Sequence, residues 1–133
     1  MEAYCMKCRA KKNIRNAVPV TLKNGRLAAC GECAVCGTKI YRIGQQAYRA
    51  VQNVPGDKVF WCADGRVFKN LDELAFAFRD MSEETFRHHV TPGNNDFCNW
   101  VRLVIGDEKL SADLSIADSA YQAARCIERS ISR

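Results

Sequence analysis

Two pairs of cysteines constrain this chain more than any other feature. Cys5-Met-Lys-Cys8 and Cys33-Ala-Val-Cys36-Gly37 are both C-x2-C, with 24 residues between the pairs. A C-x2-C turn is tight enough for two thiolates to converge on one point, and two such turns supply the four ligands of a tetrahedral ion. A closed shell of four sulfurs leaves no position for water. Such a site is structural, and its binding energy is folding energy. The expectation is one Zn²⁺ held by Cys5, Cys8, Cys33 and Cys36. Eight cysteines in 133 residues would also suit a secreted disulfide scaffold. Met1–Lys12, however, carries two cysteines and several charges, which does not suit the apolar core of an export signal. Cys30-Gly-Glu-Cys33 is a third C-x2-C. Gly37 directly follows Cys36, where a knuckle turn favours a residue without Cβ, and this favours Cys33/Cys36 as the second pair, with Cys30 leaving the choice slightly open. Cys30 is then a small apolar residue, a spare ligand or a redox-sensitive thiol, the first being the plainest expectation.

The residues between the pairs alternate like strands. Val18, Val20 and Leu22 alternate with polar neighbours, Lys23-Asn-Gly-Arg26 intervenes, and Leu27 and Ala29 alternate again. Asn-Gly between alternating segments predicts a hairpin with both turn residues at positive φ. Lys39-Ile-Tyr-Arg-Ile43 reads as a third strand. A segment of ~40 residues buries too little surface to fold unaided, so a staple is expected.

This segment is also basic. Residues 1–45 hold nine Lys/Arg against two Glu, a balance of +7, whereas residues 46–133 balance at −2. Four thiolates around one Zn²⁺ carry −2, leaving the first module near +5. Lys7, Arg9, Lys11, Lys12, Arg15, Lys23, Arg26, Lys39 and Arg42, with Tyr4 and Tyr41 among them, make a candidate nucleic-acid surface. No groove-reading helix accompanies them, so binding should be salt-sensitive and weakly sequence-specific. Lysines that simply keep a ribbon in solution are the bland alternative.

After a connector, residues 46–56, the pattern becomes largely helical. Val59–Cys62 and Val67–Phe68 flank Asp64-Gly65, a second predicted hairpin. Asn70 with Glu73, Ser82, and Asn95 or Asn94 read as helix N-caps, and Gly106 as a C-terminal stop. Asp107–Leu114 suggests one or two turns. Ile116, Ala120, Ala123, Ile127 and Ile131 form an apolar stripe on a last helix. His88, His89, Asp96, Cys98 and Trp100 cluster around a helix break. A His–Asp or Cys–His pair could do acid–base work, but no oxyanion or phosphate cradle accompanies it, and a hydrogen bond across the turn is the simpler expectation. Gly37-Thr38-Lys39 lacks the spacing of a phosphate loop. Cys62, Cys98 and Cys126 are expected as buried thiols, with a second metal site including His88 or His89 as the alternative. Arg125, Arg129 and Arg133 make a basic row suited to a helix C-terminus or to an anionic partner.

The first third, from Ala3-Tyr-Cys-Met-Lys-Cys through Leu22-Lys-Asn-Gly-Arg to Cys33-Ala-Val-Cys-Gly-Thr-Lys-Ile-Tyr-Arg-Ile43, resembles a family of short single zinc ribbons. These occur alone or as tails like those on DNA topoisomerases. The resemblance implies Cys5, Cys8, Cys33 and Cys36 as ligands; Ala34 stands where that family usually has proline, and Cys30 is an addition. Residues ~58–115 resemble a separate domain family of unknown function, which implies a compact α-rich domain and no chemistry.

The expected architecture is α+β: a Cys₄ zinc ribbon over 1–45, a connector over 46–56 and an α-rich domain with a leading hairpin over 57–133. The expected function is non-enzymatic nucleic-acid binding, with a protein–protein adaptor as the alternative and an enzyme using His89/Asp96 as the remotest reading. No small-molecule substrate is inferred. No unbroken apolar run exceeds five residues, as at Val59–Ala63, against the ~18–20 a membrane helix requires, so a soluble cytoplasmic protein is expected.

Overall fold

A computed structural model describes residues Met1–Ser132. The chain is α+β and divides into two compact units, Met1–Gln52 and Asn53–Ile131.

The first unit is a four-stranded antiparallel sheet in the order β1-β2-β3-β4. The strands are β1 (Glu2–Cys5), β2 (Ala10–Thr21), β3 (Leu27–Cys33) and β4 (Lys39–Ile43). The sheet curls until its outer strands β1 and β4 approach one another. Curling is needed because β2 is long: its first residues pair with β1 and the rest with β3. The handover falls between Asn13 and Ile14, and a bulge follows between Arg15 and Val18, with Asn16 at φ 55°. Beyond it β2 has no β1 partner, and Pro19 stands on that free edge. Gly31 faces the bulge. A Cβ added there would meet the Ile14 side chain and lie 2.6 Å from the Arg15 carbonyl oxygen, so the close approach of β2 and β3 requires glycine.

The β2–β3 turn departs from the two-residue form that Asn-Gly suggests. Gly25 N–H donates to Leu22 C=O and Leu22 N–H to Arg26 C=O, and only Gly25 has positive φ (84°). Asn24 Oδ1 instead accepts from Arg26 N–H. This is a three-residue loop closed by a left-handed glycine. Cys62-Ala-Asp-Gly-Arg66 repeats it: Gly65 (φ 92°) N–H donates to Cys62 C=O, and Asp64 Oδ1 accepts from Arg66 N–H. In both turns the Asn or Asp side chain bonds two residues ahead and spares itself the left-handed conformation. Part of the expected connector is regular: α1 (Gln45–Ala50) packs on β3 with Ala47, Ala50 and Val51 buried. Ala28, Ala29 and Cys30 are buried in succession, so both faces of β3 are covered there.

The second unit opens with a short hairpin, β5 (Phe60–Trp61) and β6 (Val67–Phe68), and continues through five helices and one more hairpin. Asn70 Oδ1 caps α2 (Leu71–Asp80) by accepting from Glu73 N–H. Glu73 returns a bond to Lys69 N–H, one residue short of the usual capping box. Ser82 caps α3 (Glu83–His89). The hairpin β7 (Val90–Thr91)/β8 (Asn94–Asn95) turns over Pro92-Gly93. Asn95 caps α4 (Asp96–Trp100), which widens into a π-helical turn over Val101–Ile105 and stops at Gly106 (φ 84°). α5 (Glu108–Ser115) and α6 (Ala120–Ile131) complete the unit. Phe78, Leu74, Phe97, Val101, Leu110 and Ile127 are the largest fully buried side chains here. Phe60, Phe78, Phe86 and Phe97 meet at ring separations of 4.9–6.2 Å. Ile116, expected on the buried stripe of the last helix, lies outside it and is 78% exposed, because α5 ends at Ser115 and α6 begins only at Ala120.

Candidate metal centre

The two C-x2-C turns sit at the same end of the curled sheet. The first links β1 to β2, and the second links β3 to β4. Because β1 and β4 approach, the turns face each other, and the four Sγ atoms of Cys5, Cys8, Cys33 and Cys36 lie within 4.8 Å of one another. Cys5 Sγ is 3.5 Å from Cys36 Sγ, and Cys8 Sγ is 3.9 Å from Cys33 Sγ. All eight cysteines of the chain are free thiols. Four sulfurs in this arrangement could hold one metal ion. Cys5 and Cys33 are fully buried, with Ala3, Ile14 and Ile40 packed beside them. The group thus forms the end wall of the small apolar core.

Both knuckles are built the same way. Cys8 N–H donates to Cys5 Sγ, and the residue after the second cysteine has positive φ: Arg9 at 54° in the first turn, Gly37 at 76° in the second. Gly37 N–H returns to Cys33 C=O, Cys33 N–H donates to Thr38 C=O, and Ala34 N–H is taken by Asn13 C=O across the sheet. Thr38 is a contributor that the sequence did not single out. Its hydroxyl lies 3.1 Å from Cys36 Sγ. A hydroxyl residue two positions after the last cysteine was the available signal.

The thiols do not behave alike. The Thr38 hydroxyl, then the Thr38 backbone N–H, bring Cys36 down to about 6. The Cys36 backbone N–H lowers Cys33. Cys8 is pushed up to about 12, chiefly by its hydrogen bond with Cys36 and then by burial. Sulfurs this close cannot all carry charge without a cation, so the donors around Cys33 and Cys36 favour their thiolates while the neighbouring sulfurs favour the thiol at Cys8. A divalent ion at the centre removes that conflict.

Cys30 stands outside the group. It lies on β3 three residues before Cys33, and an odd separation along a strand points the two side chains to opposite faces. Cys62, Cys98 and Cys126 are buried singly, and with His88 and His89 they form no further metal-competent cluster among the described residues.

The nine cations of the candidate nucleic-acid surface are divided. The strand register places Tyr4 opposite Lys11, Arg15 opposite Glu32, Glu32 opposite Lys39, and Cys30 opposite Tyr41, all on one face. Tyr4 and Tyr41 are 54% and 44% exposed there. Lys7 and Arg9 are exposed at the first knuckle, and Lys23 and Arg26 at the β2–β3 turn. Lys12 and Arg42 belong to the opposite face and are half-buried. Arg42 donates to the Glu2 carbonyl, and Arg15 pairs with Glu32 at 3.2 Å.

His89 and Asp96 are brought together in the second unit. His89 is buried; its Nδ1–H donates to Asp96 Oδ2 at 2.9 Å, and its Nε2 accepts from Ala63 N–H at 2.9 Å. Asp96 Oδ1 accepts from Asn94. The ring nitrogen that a His–Asp pair would offer as a base is thereby occupied by backbone, and the ring ties the β5–β6 loop to the start of α4.

The model of one protein family, described as a domain of unknown function (DUF5679), matches residues 4–43. That span contains all four cysteines of the centre. No curated protein and no solved structure matches the chain. No helix among the described residues is long and apolar enough to cross a membrane.

Proposed function

We propose that the first unit is a structural zinc ribbon and that the exposed part of its tyrosine-bearing sheet face binds nucleic acid with low sequence specificity, without catalysis. Four sulfurs about 2.3 Å from a shared centre in a tetrahedron lie about 3.8 Å apart. The pairs at 3.5 and 3.9 Å bracket that value, and an all-thiolate set of four favours Zn²⁺. Cys5, Cys8, Cys33 and Cys36 hold the ion, which clamps the β1–β2 turn to the β3–β4 turn and adds folding energy to a unit with a small core.

The observation that carries the binding reading is the register: one sheet face presents Tyr4 and Tyr41 with Lys11, Arg15 and Lys39 between and beside them. Aromatic rings stack on bases of any sequence, and the cations neutralise phosphates. With Lys7, Arg9, Lys11 and Lys39 each meeting one phosphate of a single strand, binding falls with a slope of about −2.8 in log–log salt. Raising salt from about 50 to about 200 mM then weakens binding roughly fiftyfold. The test is a titration of zinc-loaded protein with single-stranded DNA and RNA oligonucleotides at both salts. Tyr4→Ala with Tyr41→Ala should weaken binding at both salts, and Lys11→Glu should also flatten the salt slope. No binding at low salt defeats the reading and leaves an adaptor role for the ribbon.

A further inference from the structure

We propose that the cleft between α5 and α6 is a docking site for an acidic, amphipathic segment of a partner protein. The cleft encloses about 440 Å³. Ile116, Ala117 and Cys126 give it an apolar wall, and Gln122, Arg125 and Arg129 a polar one. Ile116 is 78% exposed, a large aliphatic side chain at the mouth of a concave surface. The two arginines are held by their own helix: Arg125 lies over the Tyr121 ring and donates to its hydroxyl, and Arg129 donates to Cys126 Sγ. Neither meets a carboxylate at ion-pair distance among the described residues.

Three other arginines of this unit are paired with acids, while Arg102 reaches only the Asn99 side-chain oxygen. Arg66 pairs with Asp64 and Asp80, Arg79 with Glu128, and Arg87 with Glu83. The cleft thus brings together two guanidiniums, one helical turn apart, that have no carboxylate at ion-pair distance among the described residues. Asp113, on the far wall, is engaged by Lys109. Residues four apart on a helix lie about 6 Å apart along its axis. A partner helix with two carboxylates one turn apart and an aliphatic side chain on the same face would satisfy both guanidiniums bidentately while covering Ile116. A phosphodiester backbone offers nothing to the apolar wall, which is why a peptide is favoured over nucleic acid.

The test uses the full-length, metal-loaded protein and two synthetic helical peptides that share a leucine face. One carries glutamates four residues apart beside that face, and the other has glutamine at the same places. Amide and arginine Nε–H NMR shifts report the site. The expected result is shifts centred on residues 113–129 with the glutamate peptide, and affinity at least roughly tenfold lower for the glutamine peptide and for Arg125→Glu/Arg129→Glu. Ile116→Ser should weaken binding several-fold, and Arg125→Gln/Arg129→Gln repeats the test if charge reversal unfolds the chain. Undiminished binding by the arginine variants overturns the proposal. So do shifts confined to residues 1–45, the absence of any shift, or a single-stranded oligonucleotide occupying the cleft where the glutamate peptide does not. Because the nucleic-acid reading is tested on ribbon residues, the two can fail separately.

Discussion

Gly31→Ala is the substitution that most directly probes how the ribbon is assembled. The new methyl would sit 2.6 Å from the Arg15 carbonyl oxygen and against the Ile14 side chain, at the bulge where Asn16 already adopts φ 55°. Ile14 can shift, but the carbonyl belongs to backbone that β3 pairs on both sides of the bulge. The cost therefore lies toward the upper end for an overpacked site, about 2–3 kcal/mol. Metal affinity and folding are linked in a ribbon of this size, so the apparent zinc affinity should fall roughly 30- to 150-fold. Competition against a chromogenic chelator reads the affinity, and thermal unfolding of the loaded protein reads the stability. Gly25→Ala supplies the contrast: Gly25 has φ 84° with no atom near a Cβ, so only backbone strain of about 1–2 kcal/mol applies. If Gly31→Ala costs no more than Gly25→Ala, the close approach of β2 and β3 is not what glycine serves.

Other consequences can be measured in the same material. Arg9→Gly relieves a side chain at φ 54° and should stabilise the loaded protein by about 1 kcal/mol in chemical denaturation; destabilisation would mean the Arg9 side chain matters more than its backbone. His89→Ala strands Ala63 N–H and removes a ring packed 5.1–5.2 Å from Phe97 and Phe60. It should destabilise the second unit by about 3–4 kcal/mol, followed by Trp100 fluorescence in urea, and a loss below about 1 kcal/mol would remove His89 from its structural role. The Arg66 guanidinium holds the Asp64 carboxyl at about 2 rather than 3.8. A carboxyl lowered by folding contributes stability above its ordinary range and loses it as pH falls from about 4 toward 2. Asp64→Asn should flatten the pH–stability curve in that window, whereas an unchanged curve would contradict the pairing.

Much of this was legible because the signals are local. The cysteine spacing marks the sulfurs that come together, and the caps Asn70, Ser82 and Asn95 accept from the N–H groups expected of them. What escaped depends on contacts distant in sequence. Nothing near Gly31 announces a bulge in a strand fifteen residues earlier, and nothing near Tyr4 announces that it shares a face with Tyr41 until the register of three ladders is known. The Asn-Gly and Asp-Gly turns mark hairpins, yet their form is set by loop length, which a dipeptide does not encode. Ile116 fits the helical period of the last stripe, but periodicity cannot see the break between Ser115 and Ala120.

The central claim is a zinc ion that binds the two C-x2-C turns of the first unit together, and metal analysis joined to X-ray absorption on the purified full-length chain tests it most directly. The account predicts one zinc per chain with four sulfur neighbours at about 2.3 Å, unchanged in Cys30→Ser and lost in Cys36→Ser, with residues 1–52 unfolding on chelation. Protein that carries no zinc, or a first unit that keeps its strand amide shifts after the metal is stripped, would contradict it.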